Sequence, residues 1–209
     1  NLAIIGAAMA MQRKGKHLIT TEIEHPAVLE AMKYLESQGF EVTRLGVDRD
    51  GLVSPDQVAA AGRPDTILVS VMHTNNEIGA VEPVAEIGRA VKAANPQTLF
   101  HVDAVQGFGK AQILPKRMQI DLLAASGHKI HGPKGAGALY ISPRLKSFPA
   151  LLVGGGQENN FRSGTEGTPA ILGFAAACGV GAATLKADIE REKELLGYAI
   201  EKLSSMEGI

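Results

Sequence analysis

Four short stretches of this chain collect side chains that can act on a bound molecule. "AASGHKIHGPKGAGALYI" (124–141) sets Ser126, His128 and Lys129 between an apolar run and a string of glycines. "HVDAVQ" (101–106) carries Asp103 and Gln106, "TEIEHPAV" (21–28) carries Glu24 and His25, and "MHTNNEIG" (72–79) carries Asn76. A lysine amine can form an imine with a carbonyl compound, and burial or a nearby cation increases its neutral, nucleophilic fraction. An aspartate can hold a protonated pyridine nitrogen. A serine hydroxyl, an imidazole and glycine N–H groups can hold a phosphate. A flat imidazole can stack on an aromatic ring. The surroundings of Lys129 read as buried, where an unpaired amine is costly, so a job or a partner is expected for it.

These residues need elements to bring them together. Residues 2–14 read as a helix, and "HLITTEI" (17–23) as a strand. Pro26 suits the first turn of a helix through Gln38, with Leu29, Met32 and Leu35 on one face. "FEVTRLGV" (40–47) is a second strand, and Ser54-Pro55 caps a short helix ending near Gly62. "TILVSVM" (66–72) reads as a buried parallel strand. Pro83 opens another helix. "TLFHVD" (98–103), "DLLAAS" (121–126) and "GALYIS" (137–142) are three more strands. Thr168-Pro169 starts a helical stretch, and a separate charged helix covers roughly 186–205. The fold class expected is α/β: a mostly parallel central sheet flanked by helices. Four strands stop at polar residues: Glu24-His25, His73–Glu77, Asp103–Gln106 and Ser126–Lys129. Ligands bind outside the carboxyl ends of such strands. If those strands are neighbours, the polar groups converge on one pocket. Lysine, aspartate, ring-stacker and phosphate cradle together describe pyridoxal 5′-phosphate (PLP).

Composition narrows the classes. With 209 residues and 45% hydrophobic content, the chain can build one large core and is not globally disordered. A net charge of -1 without a basic run argues against nucleic acid as a partner. The stretches Leu2–Met11 and Ala170–Ala183 are short for a membrane span and are broken by glycines. One cysteine, Cys178, rules out an intrachain disulfide and favours a reducing cytoplasm. The chain starts inside a helix already under way and stops straight after an amphipathic one, which reads as a fragment.

The motifs "SGHKIHGPKGAGALY", "HVDAVQ", "MHTNNEIG", "TEIEHPAV" and "GGGQENNFRSGTE" resemble the signatures of the class-V aminotransferase family (PLP fold type I). They are most similar to its cysteine desulfurase branch, the NifS/IscS-like enzymes. The resemblance covers nearly the whole chain in the family's order. It implies that Lys129 is the covalent PLP anchor and an acid/base group, and that His25 stacks on the ring and moves protons. Asp103 would face the pyridine nitrogen, Gln106 the phenolic oxygen, and Asn76 that oxygen and the substrate carboxylate. Ser126 and His128 would bind the phosphate, and Thr165 would reach the phosphate of the neighbouring subunit in a homodimer. The implied reaction takes sulfur from L-cysteine, leaves alanine, and passes the sulfur to an acceptor protein. The persulfide-forming cysteine and a carboxylate-binding arginine are expected beyond residue 209. Residues 1–185 would be the PLP-binding large domain, incomplete at its amino end. Residues 186–209 would lead toward a small carboxy-terminal domain absent from the chain.

Plainer roles compete at each position. Asp103 can cap a helix, His25 can begin one, and Thr165 can cap one, although Thr168 is better placed. Gln106 can be a surface amide, and Asn76, Ser126 and His128 can form turns. Cys178, amid alanines, reads as a buried core thiol. His128 and His131 share i,i+3 spacing, but no cysteine cluster or H-E-x-x-H supports a metal. Gly127-x4-Gly132 resembles the start of a P-loop, but Pro133 precedes Lys134 and a strand follows. Another class-V enzyme, such as a selenocysteine lyase or an aminotransferase, and a silent dimerisation scaffold are the alternatives.

Overall fold

A computed structural model describes residues 1–145 and 149–206. The elements alternate: α1 (Leu2–Met11), β1 (His17–Thr21), α2 (Pro26–Ser37), β2 (Glu41–Leu45), α3 (Pro55–Ala61), β3 (Thr66–Met72) and α4 (Val84–Ala94). Then come β4 (Leu99–Asp103), β5 (Leu122–Ser126), β6 (Gly137–Ile141) and α5 (Thr168–Ser204). The strands form one sheet in the order β2-β1-β3-β4-β5-β6. Neighbours from β2 to β5 pair parallel, and β6 pairs antiparallel with β5. This is the mostly parallel α/β sheet expected.

Helices cover both faces because both faces are apolar. Ile4, Leu18, Met32, Leu35, Leu68, Leu99 and Leu122 form the core under α1 and α2. Ile19, Val58, Val69, Val71, Ile87, Phe100 and Val102 form the core under α3 and α4. Each such side chain, fully buried, contributes roughly 1.5–3 kcal/mol. Residues two apart on a strand share a face. The α1/α2 face therefore changes character along each strand. Leu18, Leu68 and Leu99 lie near the amino ends, and Thr20, Ser70, His101 and Asp103 follow on the same face toward the carboxyl ends. The apolar half drives packing, and in the polar half Thr20, Ser70 and His101 lie buried beneath the carboxyl edge, with Ser70 and His101 bonded to each other.

Local signals explain most boundaries. His25 accepts a hydrogen bond from the Ala27 N–H and caps α2, with Pro26 at its first position. Ser54 caps α3 in the same way through Asp56 N–H. β1 ends at Thr21, two residues before the expected end: Glu22 N–H still donates to Leu45 C=O on β2, and the chain turns at Glu22-Ile23. The helical stretch from Thr168 and the charged helix after 186 are one helix of 37 residues, which runs through the expected boundary at 185/186. The shift there is from apolar to charged helix formers, which alters the surface and not the backbone.

By length and composition alone α5 could cross a membrane. Its first turns instead pack on the domain. Phe174 meets Phe108 edge-on with ring centroids 6.0 Å apart. A Cβ on Gly127 would lie 3.2 Å from the Phe174 ring, and one on Gly173 would lie 2.9 Å from Pro133. Cys178 is half-buried at the margin of the core, short of the full burial expected.

At the amino ends of the strands, Asp121 is buried and accepts from Phe100 N–H (2.8 Å), Lys92 Nζ (2.5 Å) and the Arg144 guanidinium. It ties α4, β4 and the segment after β6 to one carboxylate. Burial pushes Lys92 below its ordinary value, against the pull of Asp121. Replacing Asp121 by alanine leaves the half-buried Lys92 cation without its carboxylate and the buried Phe100 N–H without an acceptor. We expect a loss of about 3–5 kcal/mol in a denaturant titration. A loss below about 1 kcal/mol would mean that the cluster behaves as a surface pair.

Candidate functional site

The chain leaves β1 for β2 on one side and returns to β3 on the other. Such a reversal, here at the carboxyl ends of β1 and β3, is the usual ligand position in sheets of this kind. β1, β3, β4 and β5 are successive neighbours. Their carboxyl ends carry His25, His73–Asn76, Asp103–Gln106 and Ser126–Lys129 on one edge of the sheet. Asp103 thus ends β4, and Lys129 follows the end of its neighbour β5 at the same edge of the sheet.

Asp103 is the last residue of β4 and is half-buried. Its Oδ1 accepts from Val105 N–H at 3.0 Å. Among the described residues nothing donates to Oδ2. Gln106 is half-buried on the turn that follows. That turn lies tightly against the end of β3: a Cβ on Gly107 would stand 2.4 Å from the His73 ring. His73 is buried, its Nδ1 lies 2.8 Å from Thr74 Oγ1, and burial pushes its pKa down. His73 N–H also donates to Asp103 C=O.

β5 ends in a single 3-10 turn, Gly127–Lys129. Gly127 is buried and accepts from the N–H groups of Ile130 and Gly132. Ser126 Oγ and His128 Nδ1 lie 2.6 Å apart, a hydroxyl and an imidazole side by side. His128 and Lys129 are exposed. The expected burial of Lys129 is therefore corrected. The turn lifts away from the sheet just past Gly127, so the amine stands in water at no desolvation cost.

His25 is exposed and takes the plainer role without losing the sharper one. Its Nδ1 accepts from Ala27 N–H at 3.1 Å, which assigns the proton of the neutral ring to Nε2 and leaves that nitrogen uncommitted. Asn76 is exposed on a loop closed by the Thr74–Val81 bridge. Asn75 shapes that loop: its Oδ1 accepts from the N–H groups of Glu77 and Ile78, and its Nδ2 donates to Ile23 C=O at 3.0 Å. Thr165 is exposed on the segment entering α5. It makes no hydrogen bond to the strand-end residues, among those described. No described group of three or more His, Cys, Asp or Glu side chains could hold a metal.

Sequence reasoning named Glu24 only as a polar strand end and did not foresee the buried roles of Glu24 and His101. Glu24 is buried, accepts from Met72 N–H and Thr21 Oγ1 at 2.8 Å each through Oε1, and has no partner for Oε2. Burial above all pushes it up to about 8, with the Asp103 and Glu82 carboxylates adding to the rise. His101 is buried with Nδ1 2.8 Å from Ser70 Oγ and Nε2 unpartnered. Burial, and then the N-terminal ammonium, lowers it to about 3. The available signal was an ionisable residue inside or directly after an apolar strand.

The donor set fits PLP: a free amine at Lys129, an uncommitted carboxylate oxygen at Asp103, a hydroxyl–imidazole pair at Ser126 and His128, and a flat imidazole at His25. The fold is a mostly parallel α/β sheet whose carboxyl edge carries this donor set. The aminotransferase class-V family matches residues 1–209, and the chain belongs to that family. Curated relatives include a cysteine desulfurase IscS from Dictyoglomus turgidum, 47% identical over 203 residues, which are 97% of this chain and 51% of the relative. Another, from Anaeromyxobacter dehalogenans, is 54% identical over 179 residues, 85% of this chain and 44% of the relative. A solved NifS-like protein superposes with a TM-score of 0.92 at 38% identity, over 97% of this chain and 57% of that one. A structure of SspA in complex with cysteine gives 0.81 at 46% identity, over 86% and 51%. The chain spans about half the length of the curated relatives it matches.

Glu24 predicts a pH signature. Its carboxyl keeps a proton in the fold up to about pH 8, whereas the unfolded chain releases it near 4.5. Between those values the native state binds more protons, so stability falls as pH rises, by up to about 1.4 kcal/mol per pH unit, and levels off above. Glu24→Gln removes this slope. Denaturant titrations at pH 5, 6.5 and 8 should show the wild type losing ground steadily to the variant. A constant difference across that range would contradict the neutral buried acid.

Proposed function

We propose that the protein is a PLP-dependent cysteine desulfurase that removes sulfur from L-cysteine, leaves alanine and carries the sulfur as an enzyme persulfide. The observation that carries this reading is the placement of Lys129 and Asp103 at one edge of adjacent strands, with the Ser126–His128 pair beside them. When bound, PLP supplies an electron sink that weakens bonds at the substrate carbons. Lys129 would anchor it through the amine and would hold or deliver a proton at those carbons. Asp103 keeps the pyridine nitrogen protonated through Oδ2. Gln106 donates to the phenolic oxygen, and Asn76 orients that oxygen and the substrate carboxylate. His25 stacks on the ring with Nε2 available for proton movement. Ser126 and His128 bind the phosphate.

Cys178 is a poor sulfur carrier, because it is half-buried against the core on α5. The persulfide thiol and the carboxylate-binding arginine are proposed to lie in the part of the relatives' length that this chain does not match. The protein would act as a homodimer, with Thr165 reaching the phosphate bound by the second subunit. Exposed apolar residues on α5, among them Leu172, Val180 and Leu196, support a covering partner. A sulfur-acceptor protein would complete the reaction.

The test is spectroscopic before it is kinetic. The full-length protein should show a visible absorbance band of lysine-bound cofactor, and Lys129→Ala should abolish it. Asp103→Asn should lower kcat/KM for cysteine about 10²–10⁴-fold, the scale of a lost buried charge pair of about 3–5 kcal/mol. The reading fails if no band forms, or if Lys129→Ala keeps both the band and alanine production.

A further inference from the structure

β1 and β3 pair only through Ile19 and Val69. Past that point β1 stays on β2, with Thr20 opposite Arg44 and Thr21 opposite Leu45. The carboxyl end of β1 therefore has no ladder holding it to β3, although His25 must keep its place beside residues carried by β3 and β4. Two side-chain bonds replace the ladder. Glu24 Oε1 accepts from the N–H of Met72, the last residue of β3, and from its own neighbour Thr21. Asn75 Nδ2 reaches back to Ile23 C=O. Both bonds grip the two residues just before His25. From the structure we infer that Glu24 is a positioning residue for His25, setting the depth of the imidazole in the crevice by tying the end of β1 to β3.

This inference rests on the reading of His25 as the ring-stacking group. Glu24 is well suited to hold without interfering. It is buried, and its neighbours include the Asp103 and Glu82 carboxyl groups. Burial and those neighbours keep it protonated at neutral pH, so it adds no second anion beside Asp103. The proton belongs on Oε2, since Oε1 already accepts twice. A glutamine reproduces this arrangement, with the acceptor on Met72 and a neutral donor in place of the hydroxyl. Alanine removes the tie and leaves Met72 N–H unpaired. Methionine fills the same volume without the tie.

The experiment is a double-mutant cycle on the full-length protein, read by equilibrium PLP titration and by visible circular dichroism of the bound cofactor. Glu24→Gln should stay within twofold of wild type in affinity and keep the dichroic signal. Glu24→Ala should weaken PLP binding tenfold or more and diminish the signal. Glu24→Met should do the same, and it serves if the alanine variant does not fold. In a His25→Ala background, either substitution should add less than twofold, because its target is already gone. Additive losses in that background, with the visible band of the single variants intact, would show Glu24 to be a general stabiliser and overturn the inference. So would a Glu24→Ala affinity equal to wild type. Loss of the visible band from the wild type itself would instead overturn the functional reading.

Discussion

The interaction on which the site depends is the bond between a buried Glu24 carboxyl and the last backbone N–H of β3. In a parallel sheet the ladder normally fixes the relative height of neighbouring strand ends. Here the change of direction between β1 and β3 makes room for a ligand by ending that ladder early. The same opening would let the end of β1 drift. A side chain that takes over a backbone acceptor's role keeps the crevice open and its rim fixed. The cost is one ionisable group in a dry place, met by leaving it protonated.

A division of labour runs around the whole edge. Buried residues hold, and the residues beside them, exposed at the sheet edge, carry the groups proposed to bind. Glu24 precedes His25, Asn75 precedes Asn76, and Gly127 precedes His128 and Lys129. In each case the holder is fixed by hydrogen bonds to backbone from a different segment or turn. The partner residue keeps at least one polar group uncommitted. Such an arrangement lets the working groups be mobile enough to react while the backbone beneath them stays put.

Much of this was legible in the sequence, for a physical reason. Strands buried on both faces must be apolar along their length, so β3 reads to the residue as Thr66–Met72. The polar residues directly after such strands stand out and mark the ligand edge. Strand order was not legible, because it depends on which strands meet in space. The solvent position of Lys129 was hidden too: a motif full of Gly and Ala reads as buried, and only the lift of the 3-10 turn exposes the amine. Asp103 and His25 were placed from their neighbours in the chain. Glu24 was named only as a polar strand end, and its holding role was not legible because its partner, Met72, lies 48 residues away.

The electrostatics of the edge follow from what is buried beneath it. His101 and His73 are held neutral by burial, and Glu24 is held neutral at physiological pH for the same reason. None of these supports adds a charge to the crevice floor. The charges at the rim include Asp103 at the end of β4 and Lys129 beyond the end of β5, one anionic and one cationic. A dipolar ligand with a basic ring nitrogen at one end and an electrophilic carbon at the other meets complementary groups at both. The folding cost of neutral buried polar groups is thus tied to the directional field that the proposed chemistry uses.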